Sequence, residues 1–271
     1  MDERSSVEEP ESMMVNIVSG LAPIIYKDAF QKSVKSVGAG LEAITDIVVD
    51  LFVDGARFGD AAVRHCITRY FPEKMSAVPI EDIVMPNVGV VGPLFDQLRF
   101  VVEEDDLRNM YLNLLANSMD SKQKNGALPS FVQIIRSLSS DEAMIMKLLS
   151  VEQKIAMLDV LVDLKKSTVD AHEYDFCITK FSLIGTQASC ESPDLVPCYL
   201  DNLVRLGLAE IPVEYYENEP EEYDELERLV RFTDEVKKEI DSQRELVFKK
   251  RTIQLTSLGQ LFCKVCVKDK A

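Results

Sequence analysis

Residues 86–120 read PNVGVVGPLFDQLRFVVEEDDLRNMYLNLLANSMD. The first eight, with Pro86, Gly89, Gly92 and Pro93, read as a rigid turn that leads into a short apolar run. An acidic knot follows, Glu103-Glu104-Asp105-Asp106. Beyond it Leu107, Met110, Tyr111, Leu114, Leu115 and Met119 recur at three- and four-residue spacing, the period of a helix with one apolar stripe. The acids stand at the positive end of that helix dipole, where negative charge is favoured. The stretch therefore predicts a buried central helix with a charged start. It is a folding signal and carries no chemistry. Asn113 and Asn117, four apart on it, and Arg108 a turn earlier read either as a polar network in a groove or, more simply, as a solvated polar face.

Working outward, residues 12–71 have a smooth helical texture punctuated by Pro23 and the pair Gly38/Gly40. Leu41, Ile44, Val48, Leu51 and Phe52 make one apolar stripe. The small residues Gly55, Ala56, Gly59, Ala61 and Ala62 suit close helix packing. Residues 1–11 are polar and acidic and read as a disordered tail. Residues 78–85 read as an extended connector. After the central helix, Pro129 opens another helix with Phe131, Ile134, Ile135 and Leu138 at core spacing. Ser139-Ser140-Asp141-Glu142 is a capping box: Ser139 caps the next helix and Glu142 reaches back.

The texture changes after Ser150. Residues 155–164 are dense in apolar and β-branched side chains and read as a strand, while 176–188 is ambiguous between strand and helix. Residues 193–206 form a helix striped by Leu195, Tyr199, Leu203 and Leu206 and ended by Gly207. Residues 208–211 and 251–256 read as two strands of a hairpin, and Thr256 or Ser257 caps a last helix. Helix, strand, helix, helix and hairpin is the order of a winged-helix domain. The expected fold is thus mainly α. An acidic tail (1–11) precedes a helical bundle (12–138), and a winged-helix-like α+β domain (139–271) carries a helical insertion at 212–250 in the wing. That insertion opens with an acidic run, 214–227, and continues as a helix with Leu226, Leu229, Val230, Val236 and Ile240. It is either a packing helix or a partner surface, and Glu217, Glu221, Glu222, Asp224 and Glu225 are the residues such a surface would offer.

Composition narrows the function classes. The chain has 271 residues, 46% of them apolar, enough for one large domain or two smaller ones. Lys and Arg number 30 against 46 Asp and Glu, a formal charge of -16. That balance argues against broad binding to nucleic acid or to anionic lipid, since both need positive surface. Met1-Asp2-Glu3-Arg4 is acidic where a signal peptide needs positive charge. The uncharged stretch 12–26 is too short to span a bilayer. The sequence reads as that of a cytoplasmic protein, whose six cysteines are thiols.

Candidate chemistry is sparse. The second helix of the pair holds Asp194, Asp201 and Arg205, too little positive charge for a recognition helix. The basic run Lys249-Lys250-Arg251 is the local support for a nucleic-acid contact, and otherwise reads as a solvated wing. Cys263-x-x-Cys266 has metal-ligand spacing, but zinc needs two more ligands, and Cys190 and Cys198 supply them only if the fold brings them near. Core packing is the simpler reading of both cysteines. His65 and Cys66 are adjacent, so on a helix they diverge by about 100°, poor geometry for a nucleophile pair. His172 falls in a polar loop. Phosphate-binding glycine loops, GxSxG and HExxH are absent from the sequence. No catalytic, cofactor or metal residues are assigned.

Four segments together carry a family resemblance: VGPLFDQLRFVVEEDDLRNMYLNLLANSMD (91–120), LPSFVQIIRSLSSDEAMIMKLL (128–149), VPCYLDNLVRLGLAEI (196–211) and IQLTSLGQLFCKVCV (253–267). In this order they resemble the abortive infection alpha (Abi-alpha) family of bacterial proteins, over about 21–267. The resemblance implies an intracellular protein of phage defence, in which infection triggers an activity that stops phage propagation, often at the host's expense. It carries over no catalytic residue. The expectation is a non-enzymatic defence protein acting through protein contacts with a partner yet to be identified. The apolar stripes also leave room for a homo-oligomer. Two alternatives stand beside it: a winged-helix DNA-binding regulator, and a latent membrane-acting effector that inserts 13–26 and 41–53 after a trigger.

Overall fold

The computed structural model describes residues 41–50, 61–163, 174–213, 220–242 and 244–270. The architecture is mixed α+β and mainly helical. The chain divides into two compact units, one running to Ser137 and taking in 268–271, the other Leu138–Val267. The acidic tail, the segment 13–26, the Gly38/Gly40 break, Leu51, Phe52, the small residues 55–59, His172 and Glu217 lie outside the described residues.

The first unit is helical: α1 (Leu41–Val48), α2 (Ala61–Met75), α3 (Val88–Leu98), α4 (Asp105–Ser118) and α5 (Ser130–Arg136). α4 is the central helix predicted above and packs against α2, α3 and α5. Glu104 is its N-cap and Asp105 and Asp106 fill its first turn, as the dipole favours. The stretch 86–93 is corrected: it is no rigid turn but the start of α3. Asn87 caps that helix, its side chain accepting from Gly89 N at 2.8 Å. Pro93 sits inside it, where its ring faces the Gly89 carbonyl and removes one ladder bond. The connector 78–85 holds a 3₁₀ turn, Ile80–Asp82, and Ile83 bridges to Asp120. Residues 268–270 return to this unit, where Lys270 Nζ meets Asp120 at 2.7 Å and Lys74 pairs with Asp269.

The second unit opens with α6 (Ser140–Glu152), started by the capping box: Ser139 N donates to Glu142 Oε2 at 2.7 Å, and Glu142 N donates to Ser139 Oγ at 3.3 Å. β1 (Lys154–Asp163) follows. The ambiguous stretch resolves into β2 (Tyr174–Phe181) and a short α7 (Ile184–Gln187). Then come a 3₁₀ turn (Pro193–Leu195), α8 (Val196–Arg205), β3 (Ala209–Glu210), α9 (Pro220–Val230), α10 (Asp234–Asp241), β4 (Leu246–Leu255) and α11 (Ser257–Phe262). Gly207, at φ +72°, makes the left-handed turn after α8 that the sequence assigned to it. Thr256 caps α11, accepting from Gly259 N at 2.9 Å.

The sheet is antiparallel with order β2-β1-β4-β3. The returning strand is longer than predicted. It begins at Leu246 and pairs mainly with β1, from Val162↔Leu246 to Lys154↔Gln254, and with β3 only at its end. The insertion forms two helices where one was expected, because the chain turns at 231–233 and Thr233 starts α10. Both cover one face of the sheet. Tyr223 and Leu226 pack on Ala156 and Leu158, and Val230 and Val236 on Val160.

Candidate functional site

α9 sorts its side chains by period. Tyr223, Leu226 and Val230 are buried, and Glu221, Glu222, Asp224 and Glu225 are exposed. The buried edge is fixed by hydrogen bonds as well as contact: Tyr223 Oη donates to Arg251 O at 3.0 Å and lies 3.0 Å from Thr252 Oγ1. The acidic face therefore sits on a helix held from below by a strand. Arg228 approaches Glu225 at 3.9 Å, an exposed pair that screens little of the negative charge.

Lys249, Lys250 and Arg251 lie in the middle of β4, not in a wing loop. Consecutive strand residues face opposite ways, so the run does not form one basic patch. Lys250 turns to the insertion, 3.8 Å from Glu227 and above the Tyr223 ring. Arg251 faces Asp159, Nε to Oδ2 at 3.8 Å, and donates to Val213 O at 3.4 Å. Lys249 is exposed.

α8 is anchored through the start of α6. The Asp141 carboxylate accepts from Glu191 N at 2.8 Å, Ser192 N at 3.0 Å and Tyr199 Oη at 2.8 Å, while Asn202 donates to Glu142 at 2.6 Å. Burial works against the charged form of Asp141, but these three donors outweigh it and hold its carboxyl below the ordinary value. Burial, with the Asp141 charge beside it, pushes the Tyr199 hydroxyl up to about 12. Asp201 on α8 is 2.7 Å from Lys180 Nζ, and Arg205 bonds Asn202 Oδ1, so the helix offers little free positive charge. A groove of about 660 Å³ runs along β2 to Pro193 and Pro197 at the entry of α8.

The sulfur groups are set by burial. Cys263 and Cys266 are buried on a π-helical turn, Cys263–Val267, that packs on α6. Among the described residues no three or more His, Cys, Asp or Glu side chains gather to hold a metal ion, so Cys190 and Cys198 do not complete a site with them. Burial pushes the thiols of Cys66 and Cys190 up to about 11 and that of Cys266 well above its ordinary value. Such thiols stay protonated at neutral pH and are poor nucleophiles. His65 is exposed while Cys66 is buried, as their adjacency on α2 requires.

The polar face predicted on the central helix is also corrected. Arg108, Asn113 and Asn117 are buried, because α4 has neighbours around nearly its whole circumference. Arg108 donates to Val102 O at 2.8 Å, pairs with Asp105 at 2.6 Å, and stacks 4.2 Å from the Tyr70 ring centre. Asn117 Nδ2 donates to Asn113 O at 3.0 Å. The sequence wheel holds no sign of this, since it shows which residues share a face and not how many helices surround it. Among the described residues no helix is long and apolar enough to cross a membrane.

A family model described as abortive infection alpha matches residues 63–266. No curated protein matches the chain. A solved structure, that of an uncharacterized protein from the hydrocarbon-degrading marine bacterium Alcanivorax borkumensis SK2, is similar at 20% identity and a TM-score of 0.35, over 55% of this chain and 96% of the other.

Proposed function

This chain belongs to the abortive infection alpha family, and from that premise we propose that it is a bacterial phage-defence protein acting without catalysis, through contact with another protein. The observation that supports the reading is α9. Four carboxylates stand exposed on a helix whose opposite face is buried on the sheet, so a charged surface is presented on a rigid base. Rigid presentation lowers the entropic cost of binding, and a single sign of charge steers a complementary, basic partner. Location in the cytoplasm belongs to the same proposal. So does a winged-helix reading of the second unit. Its supports are the order α6, β1, α7, α8, β3, β4 and the place of β4 between β1 and β3. On that reading β2, α9 and α10 are additions, and the wing serves protein contact.

The test is plaquing efficiency on cells expressing the chain, against cells expressing Glu221→Lys/Glu222→Lys/Asp224→Lys/Glu225→Lys. Leu114→Asp serves as the unfolded control. The expected result is protection by the intact chain, and its loss both in the control and in the reversed variant, which still folds. Turnover of a nucleotide or nucleic acid by the pure protein, abolished by a point substitution, overturns the non-enzymatic reading. Protection that survives charge reversal removes α9 as the contact surface.

A further inference from the structure

Lys74 and Asp120 are charged side chains buried in the first unit. Lys74 stands in the last turn of α2, and Asp120 lies two residues beyond the end of α4. A buried charge that lacks a counter-charge is costly. What each of them meets therefore decides how firmly these two helix ends are held. Asp120 divides its carboxylate: Oδ1 accepts from Lys122 N at 2.8 Å and Oδ2 from Lys270 Nζ at 2.7 Å. Lys74 donates to Asp269. The two distant partners are thus consecutive residues of one short segment, 268–270.

That segment reaches the first unit by a long route. The chain leaves the unit at Ser137, forms the whole of the second unit, and comes back at Lys268. Just before the return, Val265 and Cys266 are buried on the π-helical turn. A packed element therefore presents the segment, which raises its effective concentration at the site above that of a loose tail. The pairing has one register, because Asp269 meets a cation and Lys270 an anion. A slip of one residue sets Lys268 on Lys74 and Asp269 on Asp120; the opposite slip sets Lys270 on Lys74 and Ala271 on Asp120. Each alternative brings like charges together. The two pairs differ in weight. The side chains of Lys270 and Asp120 are 15% and 11% exposed, so salt screens them little, whereas Asp269 is 70% exposed.

We propose that 268–270 is a clasp on the ends of α2 and α4, and that the first unit reaches its full stability only when the clasp is closed. Lys270 supplies most of the hold, and Asp269 fixes the register. The first unit is then completed by residues made after the whole of the second. A chain interrupted within 138–267 leaves Lys74 and Asp120 without these partners, and its first unit stays loose. The clasp is in this sense a check on completeness built into the order of the chain. The proposal stands apart from phage defence and does not depend on it.

Hydrogen exchange of the full chain, read peptide by peptide, tests it. In Lys270→Glu, which sets a carboxylate against Asp120, exchange is expected to rise about tenfold or more over 61–75 and 115–122, while β1 keeps its protection. Lys74→Glu and Asp269→Lys are each expected to raise exchange over 61–75, and the double variant Lys74→Glu/Asp269→Lys to bring it back. Unchanged exchange in Lys270→Glu, a rise that reaches β1 equally, or single reversals that the double variant does not mend would each overturn the proposal.

Discussion

α4 and α9 are both amphipathic in sequence, and the molecule uses them in opposite ways. α4 is enclosed on nearly every side, down to Arg108, Asn113 and Asn117. α9 is covered on one side only, and its charges face out. In α4 the polar contacts of these side chains include Val102 O, Asp105, the Tyr70 ring and Asn113 O. A polar group in that setting holds structure, because leaving it unpaired would cost its full desolvation. In α9 Glu221, Glu222, Asp224 and Glu225 stand exposed to solvent. How many neighbours enclose a helix thus decides whether its polar residues serve the fold or a contact.

The contrast breaks most visibly at Leu114, which is fully buried. Leu114→Asp places an unpaired carboxylate among apolar neighbours and is expected to cost about 4 kcal/mol or more, enough to unfold the first unit. Urea titration followed by circular dichroism checks it. A loss under about 1 kcal/mol would mean that α4 is not enclosed. Arg108→Lys sharpens the same point at a smaller scale. An ammonium cannot fork between Val102 O and Asp105 while stacking on Tyr70, so about 2 kcal/mol is expected to go despite the retained charge. An Arg108→Lys protein with an unchanged urea midpoint would place the Arg108 contacts outside the stability of the unit.

What the sequence announced and what it hid follow a physical line. Local signals were legible. The stripe of α4, the capping box at Ser139 and Glu142, the Thr256 cap and the turn at Gly207 each depend on residues within four positions of one another. Signals that depend on distant chain were not. The burial of Arg108 needs α2, which supplies Tyr70. β2 was ambiguous because its register with β1 shifts twice, between Leu158 and Val160 and again before Leu161, which breaks the two-residue period by which a strand is recognised. Pro93 and two glycines resembled a turn because their residue types favour one, and the Asn87 cap overruled them. The break at 231–233 was available locally, as Thr233 stands before Asp234 and Glu235, a helix-start pattern. The acids of α9 could be named from sequence, but their shared exposure depends on Tyr223 and Leu226 meeting β1.

Asp141 tests the second unit by pH. Its carboxyl lies below the ordinary carboxylate value of 3.8 in the folded chain, so the unfolded chain binds the proton more readily. The stabilisation is complete above the ordinary value and is lost as pH falls through the lower, folded one. Urea midpoints measured between pH 5 and the onset of acid unfolding (on the order of pH 2–3) are expected to fall with pH. Asp141→Asn, which keeps the shape and removes the titration, is expected to flatten that fall. An equally steep fall in the variant would assign the pH dependence to other carboxylates.

The smallest expected effect carries most of the weight for function. Glu221→Lys/Asp224→Lys/Glu225→Lys changes three exposed positions on α9 and leaves Tyr223, Leu226 and Val230 in place. Surface substitutions away from caps and buried pairs move stability by about 0.5 kcal/mol or less. Gains and losses within the helix roughly cancel: lysines at 224 and 225 sit three positions from Glu227 and Glu222, while the lysine at 221 faces those two lysines and the exposed Glu225–Arg228 pair is lost. The urea midpoint is therefore expected to stay within error of the parent. Binding to a basic partner, measured by the salt dependence of its association rate, is expected to lose most of its steering, because exposed charges act on encounter more than on the bound state. A marked drop in stability would show that the acids of α9 are held by the fold in the manner of Arg108. The distinction between an enclosed helix and a presenting one would then fail at the place where the proposed function depends on it.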